Sequence, residues 1–544
     1  MTSPIPDPIA AGLEAGWKVI DASTVRQDLM LEADVVIVGS GAGGGVTAEI
    51  LSQAGLKVII VEEGALKSSR DFKMREADAY PNLYQESAAR KTKDKAINIL
   101  QGRTVGGSTT VNWTSSFRTP PDTLAWWQQR YGLKDYTVQD LAPWFAMMEE
   151  RLHINDWLTP PNANNSLLGE GAKKLGISYG HIRRNVNGCW NLGACGMGCP
   201  TNAKQSMLVT TIPAALAQGA TLLTRTRAER FALQGGRAER LDCSALTADG
   251  IEASGRRITL RARHFVVSGG AINSPALLLR SGAPDPQRLL GKRTFLHPVT
   301  VSAATYAQPV EAFAGAPQTV YSDHFLHTAP VDGPIGYKLE VAPMHPLISA
   351  TALAGFGTAH ADLMRRYAHM QGMLALLRDG FHEQAPGGSV GLHSDGSPVL
   401  DYPVSDYVWD GVRRSLLTMA EIQFAAGAQT VLPTHEQATG YASWEQARKA
   451  IAELPMRKLQ TRILSAHVMG GCAMSADERG GVTDPQGRYR GIANLSVHDG
   501  SLFPTSIGAN PQLSIFGIVA KLASGLAEEL TGRPAPNPAP QPLV

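Results

Sequence analysis

The chain has 544 residues, of which 43% are hydrophobic and 18% charged, and its formal net charge is +2. That balance excludes a disordered or fibrous chain and argues against a broad nucleic-acid-binding surface. No run of about 18 apolar residues is present, so no transmembrane helix is expected. The first residues lack a basic start followed by an apolar core, which predicts no signal peptide and a cytoplasmic protein. Periplasmic export beside a signal-bearing partner is the alternative. The five cysteines, Cys189, Cys195, Cys199, Cys243 and Cys472, are too few and too odd in number for a secreted disulfide scaffold.

In chain order, residues 1–30 read as a polar lead-in with one short helix. A buried strand at Asp34–Val38 runs into Gly39-Ser-Gly41-Ala-Gly-Gly44, a helix to Gln53, and a second buried strand at Val58–Val61. Residues 120–185 read as helical with breaks at Pro120-Pro121 and Pro160-Pro161. A cysteine-rich loop follows, then a helix around Met207–Gln218, a strand at Thr221–Thr226 and two strand-like runs over 230–268. Residues 297–400 alternate β-like runs with polar connections, as a sheet layer does. Trp409–Gly427 has helical periodicity. Met370–Leu377 carries Met and Leu at what reads as helical spacing, either core or substrate contact. The end, from residue 531 to 544, is a Pro-rich tail with no core-forming capacity.

Gly39, Gly41 and Gly44 form G-x-G-x-x-G between strand and helix. Such glycines make the tight turn, admit the pyrophosphate and let helix pack on strand, while the helix N-terminus offers N–H groups to phosphate. Glu62 ends the next strand, 23 residues after Gly39, in place for a ribose hydroxyl. An N-terminal fold of this kind, with the later chain returning to the same cofactor, favours FAD over NAD.

Three further blocks carry a family resemblance. Gly102-Arg-Thr-Val-Gly106-Gly107-Ser108-Thr-Thr-Val-Asn112 is the first. Ser268-Gly-Gly-Ala-Ile-Asn-Ser-Pro275 with Leu279-Arg-Ser-Gly282 is the second. The third is Ser465-Ala-His467-Val-Met-Gly470-Gly-Cys472, followed by Asp499-Gly-Ser501 and Gly508-Ala-Asn510-Pro-Gln. Together they resemble the signatures of glucose–methanol–choline (GMC) oxidoreductases, in the family's order. The resemblance implies an α/β protein: a Rossmann-like FAD-binding domain with an inserted α+β substrate domain built on an antiparallel sheet. It implies a discontinuous FAD-binding domain over 30–120, 200–297 and 463–530, and a substrate or cap domain over 121–199 and 298–462. By motif, Gly106, Gly107, Ser108 and Asn112 would lie along the FAD, with Asp499 and Gly500 near its ribityl-pyrophosphate region. No His lies between residues 64 and 120, so non-covalent FAD is expected.

By the same resemblance His467 and Asn510 form the catalytic pair. A hydroxyl proton leaves to His467 while a hydride leaves the carbon for flavin N5. Imidazole, with an ordinary pKa near 6.5, is a natural base at neutral pH. Against an alcohol approximated by water, the mismatch is about 9 pK units, on the order of 12 kcal/mol for a free alkoxide. Proton and hydride must therefore move nearly together, or a donor must hold the developing charge. Asn510 Nδ2–H is the candidate donor. Asn-Pro also simply initiates turns. His297-Pro298 reads as structural.

The loop Cys189-Trp-Asn-Leu-Gly-Ala-Cys195-Gly-Met-Gly-Cys199-Pro is C-x5-C-x3-C-P. It resembles the [3Fe–4S]-binding segment of bacterial FAD sugar dehydrogenase subunits, which implies Cys189, Cys195 and Cys199 as ligands, a small exported partner subunit and a cytochrome acceptor. It also resembles the Cys-rich loop of long-chain alcohol oxidases; if the loop is structural and holds no cluster, O₂ or a quinone is the expected acceptor. Zinc with His181, a disulfide, or plain loop thiols are the other readings. The expected activity is oxidation of a primary, aliphatic alcohol to the aldehyde. A sugar or polyol dehydrogenase and a hydroxynitrile lyase with structural FAD are the alternatives.

Overall fold

The structure is a computed structural model, and it describes residues 5–537. The second half of the Pro-rich tail, residues 538–544, lies outside the described residues. The first sheet is built on parallel strands in the spatial order Lys18–Asp21, Thr221–Thr224, Val58–Val61, Leu29–Val38, Ala253–Val267. Leu495–Val497 adds in parallel to Ala253–Val267, and two antiparallel strands, Arg237–Leu246 and Thr226–Gln234, extend the edge. Val35–Val38 and Val58–Val61 are buried apolar runs, as expected of parallel strands covered on both faces. The helices Ala42–Gln53 and Gln512–Thr531 pack on each other and stack over this sheet. Gln512–Thr531 stops at Gly532, whose φ of 70° provides the left-handed C-terminal cap.

The second large sheet runs Ile97–Ile99, Ile463–Ser465, Val299–Thr305, Met370–Leu377, Tyr337–Val341, Val320–Ser322, Gly180–His181. Apart from the parallel pair at its first edge it is antiparallel. Asp406–Ala425 is the long helix behind it, started by the Ser405 side chain accepting from Val408 N. A smaller sheet, Pro398–Asp401, Gly388–Leu392, Lys292–Phe295, Met469–Gly470, ties residues from both regions. The chain is thus α/β with a mixed sheet and an antiparallel sheet layer. No helix among the described residues is long and apolar enough to cross a membrane.

Two expectations change. The lead-in contributes a strand, Lys18–Asp21, in register with Thr221–Thr224. Met370–Leu377 is a strand buried along its whole length, not a helix. Its side chains alternate, so Met373, Ala375 and Leu377 enter the core under Asp406–Ala425. Leu374 and Leu376 join Val299 in a separate cluster on the opposite face.

Candidate active site

The two large sheets enclose one continuous cavity of about 810 Å³. Gly39, Gly41, Glu62, Gly107, Ser108, Asn112, Asp499, Gly500, His467 and Asn510 all line it. Gly44 and Gly106 do not line it. Each instead removes a clash: a Cβ on Gly44 would sit 1.9 Å from Gly39 O, and one on Gly106 2.4 Å from Thr110 Oγ1. Gly106 also holds φ 86°, open to glycine.

The glycine turn fits FAD. A Cβ on Gly41 would meet only Gly107 Cα, at 3.8 Å, so the space in front of this helix N-terminus is kept clear. Glu62 Oε2 accepts from Ser40 N at 3.1 Å and Ser40 Oγ at 2.6 Å, and Oε1 accepts from Gly64 N at 2.8 Å. Glu62 therefore shapes the turn as well as facing the cavity. Asp499 accepts from Gly270 N at 2.8 Å, Ser501 N at 2.8 Å and Ser274 Oγ, pinning the start of the helix Gly270–Arg280. Burial raises both carboxyls above their usual range. Ser108 Oγ accepts from Gly102 N, and Asn112 Nδ2 donates to Gln512 Oε1 at 2.6 Å.

At the other end of the cavity His467 stands after the strand Ile463–Ser465. Its Nδ1 lies 3.1 Å from Nδ1 of His297, and the rings stack at 5.3 Å. His297, expected to be structural, is thus part of this site. It is fully buried and holds φ 47°, a left-handed conformation uncommon outside glycine. The buried carboxylate of Asp379 holds that turn, accepting from Leu296 N at 3.1 Å and His297 N at 3.0 Å. Burial and, after it, the Lys338 ammonium push His467 down to about 3. His297 is pushed well down by burial and then by His467. Both rings are neutral at neutral pH, and one Nδ1–H can bridge them.

Asn510 is held from behind by two residues that the sequence reading missed, Lys338 and Glu340. Lys338 Nζ donates to Asn510 Oδ1 at 3.1 Å, and Asn510 Nδ2 donates to Glu340 Oε2 at 3.1 Å. The wall beside His467 is aliphatic. Val299 pairs with Leu376 and Val301 with Leu374 across the antiparallel sheet, and Leu464 and Val468 complete it.

The cysteine loop does not fit a cluster or zinc. All five cysteines are free thiols, and among the described residues no group of three or more His, Cys, Asp or Glu side chains could hold a metal. Cys189 Sγ accepts from Asn191 N, and Cys199 Sγ from Lys204 N, so these thiols serve their own turns. Buried Lys204 donates to Thr110 O at 2.6 Å, Asn112 O at 3.0 Å and Cys195 O at 2.7 Å. The loop is thereby fastened to the segment that carries Ser108 and Asn112, and its Gly196 and Met197 reach the cavity wall. A glycine-rich loop closed by a buried lysine satisfies the same spacing as a ligand loop, and spacing alone does not separate the two.

These features define a flavin-dependent oxidoreductase site. The GMC oxidoreductase family pattern matches residues 80–299 at the N-terminal side and 385–518 at the C-terminal side, and the chain belongs to this family. An uncharacterised GMC-type oxidoreductase of Sinorhizobium fredii is 27% identical over 92% of this chain and 95% of its own. A long-chain-alcohol oxidase of Arabidopsis thaliana is 25% identical over 96% of this chain and 70% of its own. Among solved structures, pyridoxine 4-oxidase from Mesorbium loti superposes with a TM-score of 0.67 at 18% identity, covering 90% of this chain and 98% of that one.

Proposed function

We propose that this chain oxidises a primary aliphatic alcohol to the aldehyde, with His467 as the base and Asn510 as the donor to the alcohol oxygen. The observation that carries the substrate class is the aliphatic wall of Val299, Val301, Leu374, Leu376, Leu464 and Val468 beside His467. A sugar would leave its hydroxyls unpaired against such a surface, at about 1–3 kcal/mol for each buried group. The Arabidopsis relative's name supports the same class.

His467 Nδ1 is engaged by His297, which leaves Nε2 for the hydroxyl proton. FAD bound along the glycine turn would supply the acceptor of the hydride and its electron pair. A neutral His467 with a pKa near 3 is a weak base, so the gap to an alcohol is wider than for a free imidazole. The proton therefore moves to His467 only as the hydride departs, while Asn510 Nδ2–H holds the partial charge on oxygen. The pair Leu374 and Leu376 excludes water from that step.

An anaerobic visible spectrum of the FAD-loaded protein, before and after 1-dodecanol, tests this. Bleaching of the flavin bands with no broad iron–sulfur absorbance beneath supports it. Cyanohydrin cleavage without bleaching, or bleaching by a polyol but not by dodecanol, overturns it. His467→Ala should slow bleaching by about 10²–10⁴-fold.

A further inference from the structure

Lys338 and Glu340 stand two residues apart on the strand Tyr337–Val341, so both project from one face. Both are buried, at 1% and 0% exposure. Their charged heads lie 2.9 Å apart, Lys338 Nζ to Glu340 Oε1. The ammonium also sits 2.9 Å from the Phe117 ring centroid and 4.8 Å from that of Tyr321. A buried ion pair of this kind is a poor way to stabilise a fold, because desolvating two charges offsets their attraction and an apolar pair of like volume is often as stable. The pair lies behind Asn510, away from the cavity surface that Asn510 itself lines.

We propose that the Lys338–Glu340 ion pair is the positioning device that fixes the Asn510 amide, directing one Nδ2–H of Asn510 to the reacting alcohol oxygen. The cation takes Oδ1 and the anion takes one hydrogen of Nδ2. Turning the amide over would set NH₂ against the ammonium and C=O against the carboxylate, two repulsions in place of two charge-assisted bonds. A carboxamide has two N–H donors, so one remains for the cavity. An asparagine without this pair has two orientations, and only one presents a donor. The ammonium does a second job on the same site, since it opposes a proton resting on His467 in the free enzyme.

This inference rests on the proposed alcohol chemistry, and the test separates the two. Lys338→Met with Glu340→Leu replaces both charges by apolar groups of similar volume. The double variant should keep bound FAD and its Tm. Its flavin should be reduced by 1-dodecanol about 10²-fold more slowly, the loss expected for one oxyanion donor, with the half-saturating alcohol concentration unchanged. Glu340→Gln alone, whose amide can still accept from Asn510, should lose less. Neutron crystal structures of the FAD-loaded wild type and double variant, which tell amide nitrogen from oxygen, give the readout that needs no substrate. The Asn510 side chain should leave its wild-type rotamer or occupy two orientations. Unaltered reduction rates in a double variant that holds FAD overturn the proposal, as does an Asn510 whose amide nitrogen and oxygen keep their wild-type places. If dodecanol fails to reduce even the wild-type flavin, the alcohol reading falls, and the Asn510 conformation alone decides the positioning role.

Discussion

Gly41 and Gly43 lie two residues apart in one turn, yet an added methyl should act on different properties. A Cβ on Gly43 would lie 1.7 Å from His498 O, a backbone atom that cannot step aside, whereas one on Gly41 enters the open front of the helix. Gly43→Ala should therefore lower the thermal stability of the FAD-free protein. Gly41→Ala, at φ −71° and without a clash, should leave that stability unchanged and weaken FAD binding about tenfold or more, about 1.4 kcal/mol by titration. His297 allows a similar separation of fold from chemistry. Its left-handed backbone suits asparagine, so His297→Asn keeps the turn that Asp379 holds but does not reach His467 Nδ1. Stopped-flow reduction by dodecanol should slow by about 10²-fold or more at unchanged half-saturation, because the base loses the partner that sets its tautomer. Equal rates would return His297 to a structural role.

The paired strands Val299–Thr305 and Met370–Leu377 make the substrate wall by alternation alone. Val299, Val301, Leu374 and Leu376 face the cavity, while Ala375 and Leu377 pack the other way. Leu374→Trp should raise the half-saturating concentration of dodecanol more than tenfold and leave 1-butanol nearly untouched. Ala375→Val, on the core face, should change Tm and neither alcohol. If both alcohols respond alike to Leu374→Trp, the chain does not run along this wall. These strands show what was legible. Val58–Val61 stands out in sequence because both of its faces are covered and every residue is apolar. Met370–Leu377 is equally buried, but long Met and Leu side chains suit helix and strand alike, and only its partner strand settles the period. Tyr-Lys338-Leu-Glu340 is harder still. Alternating charge and apolar residues describe a solvent-facing strand, and only Asn510, 172 residues on from Lys338, explains why these charges are inside. The cysteine loop erred the other way, since thiols at ligand spacing carry no sign of whether their sulfurs converge.

At the scale of the whole molecule, the same burial that keeps His467 a base makes the fold sensitive to acid. His264, His297, His467 and His498 are all buried deeply enough to hold their pKa below the ordinary 6.5, with His467 and His498 near 3. In the unfolded chain each takes up a proton as pH falls through 6.5, and in the folded chain none does until far lower. The unfolded state then binds more protons at these sites, so the histidines by themselves lower stability as pH drops from about 7 toward 4, by about 1.4 kcal/mol per pH unit for each one. Glu49, Glu62, Asp379 and Asp499 act in the opposite sense, since their raised values let the folded protein take protons first. Their unfolded values lie near 4, so between pH 7 and 5.5 they offset the histidines only where burial carries a carboxyl into that window. His498 provides the check, because it lies against Thr47 at 3.0 Å, and its Nε2 has no hydrogen-bond partner among the described residues. Thermal unfolding of the wild type from pH 7 to 5.5 should show Tm falling, and His498→Gln should flatten that fall by close to one proton's worth while leaving dodecanol reduction intact. A wild-type Tm that is level or rises across this interval would mean that the carboxylates prevail. In that case neutral histidines would not set the acid limit of this fold, and the pH range of the enzyme would be set by its chemistry alone.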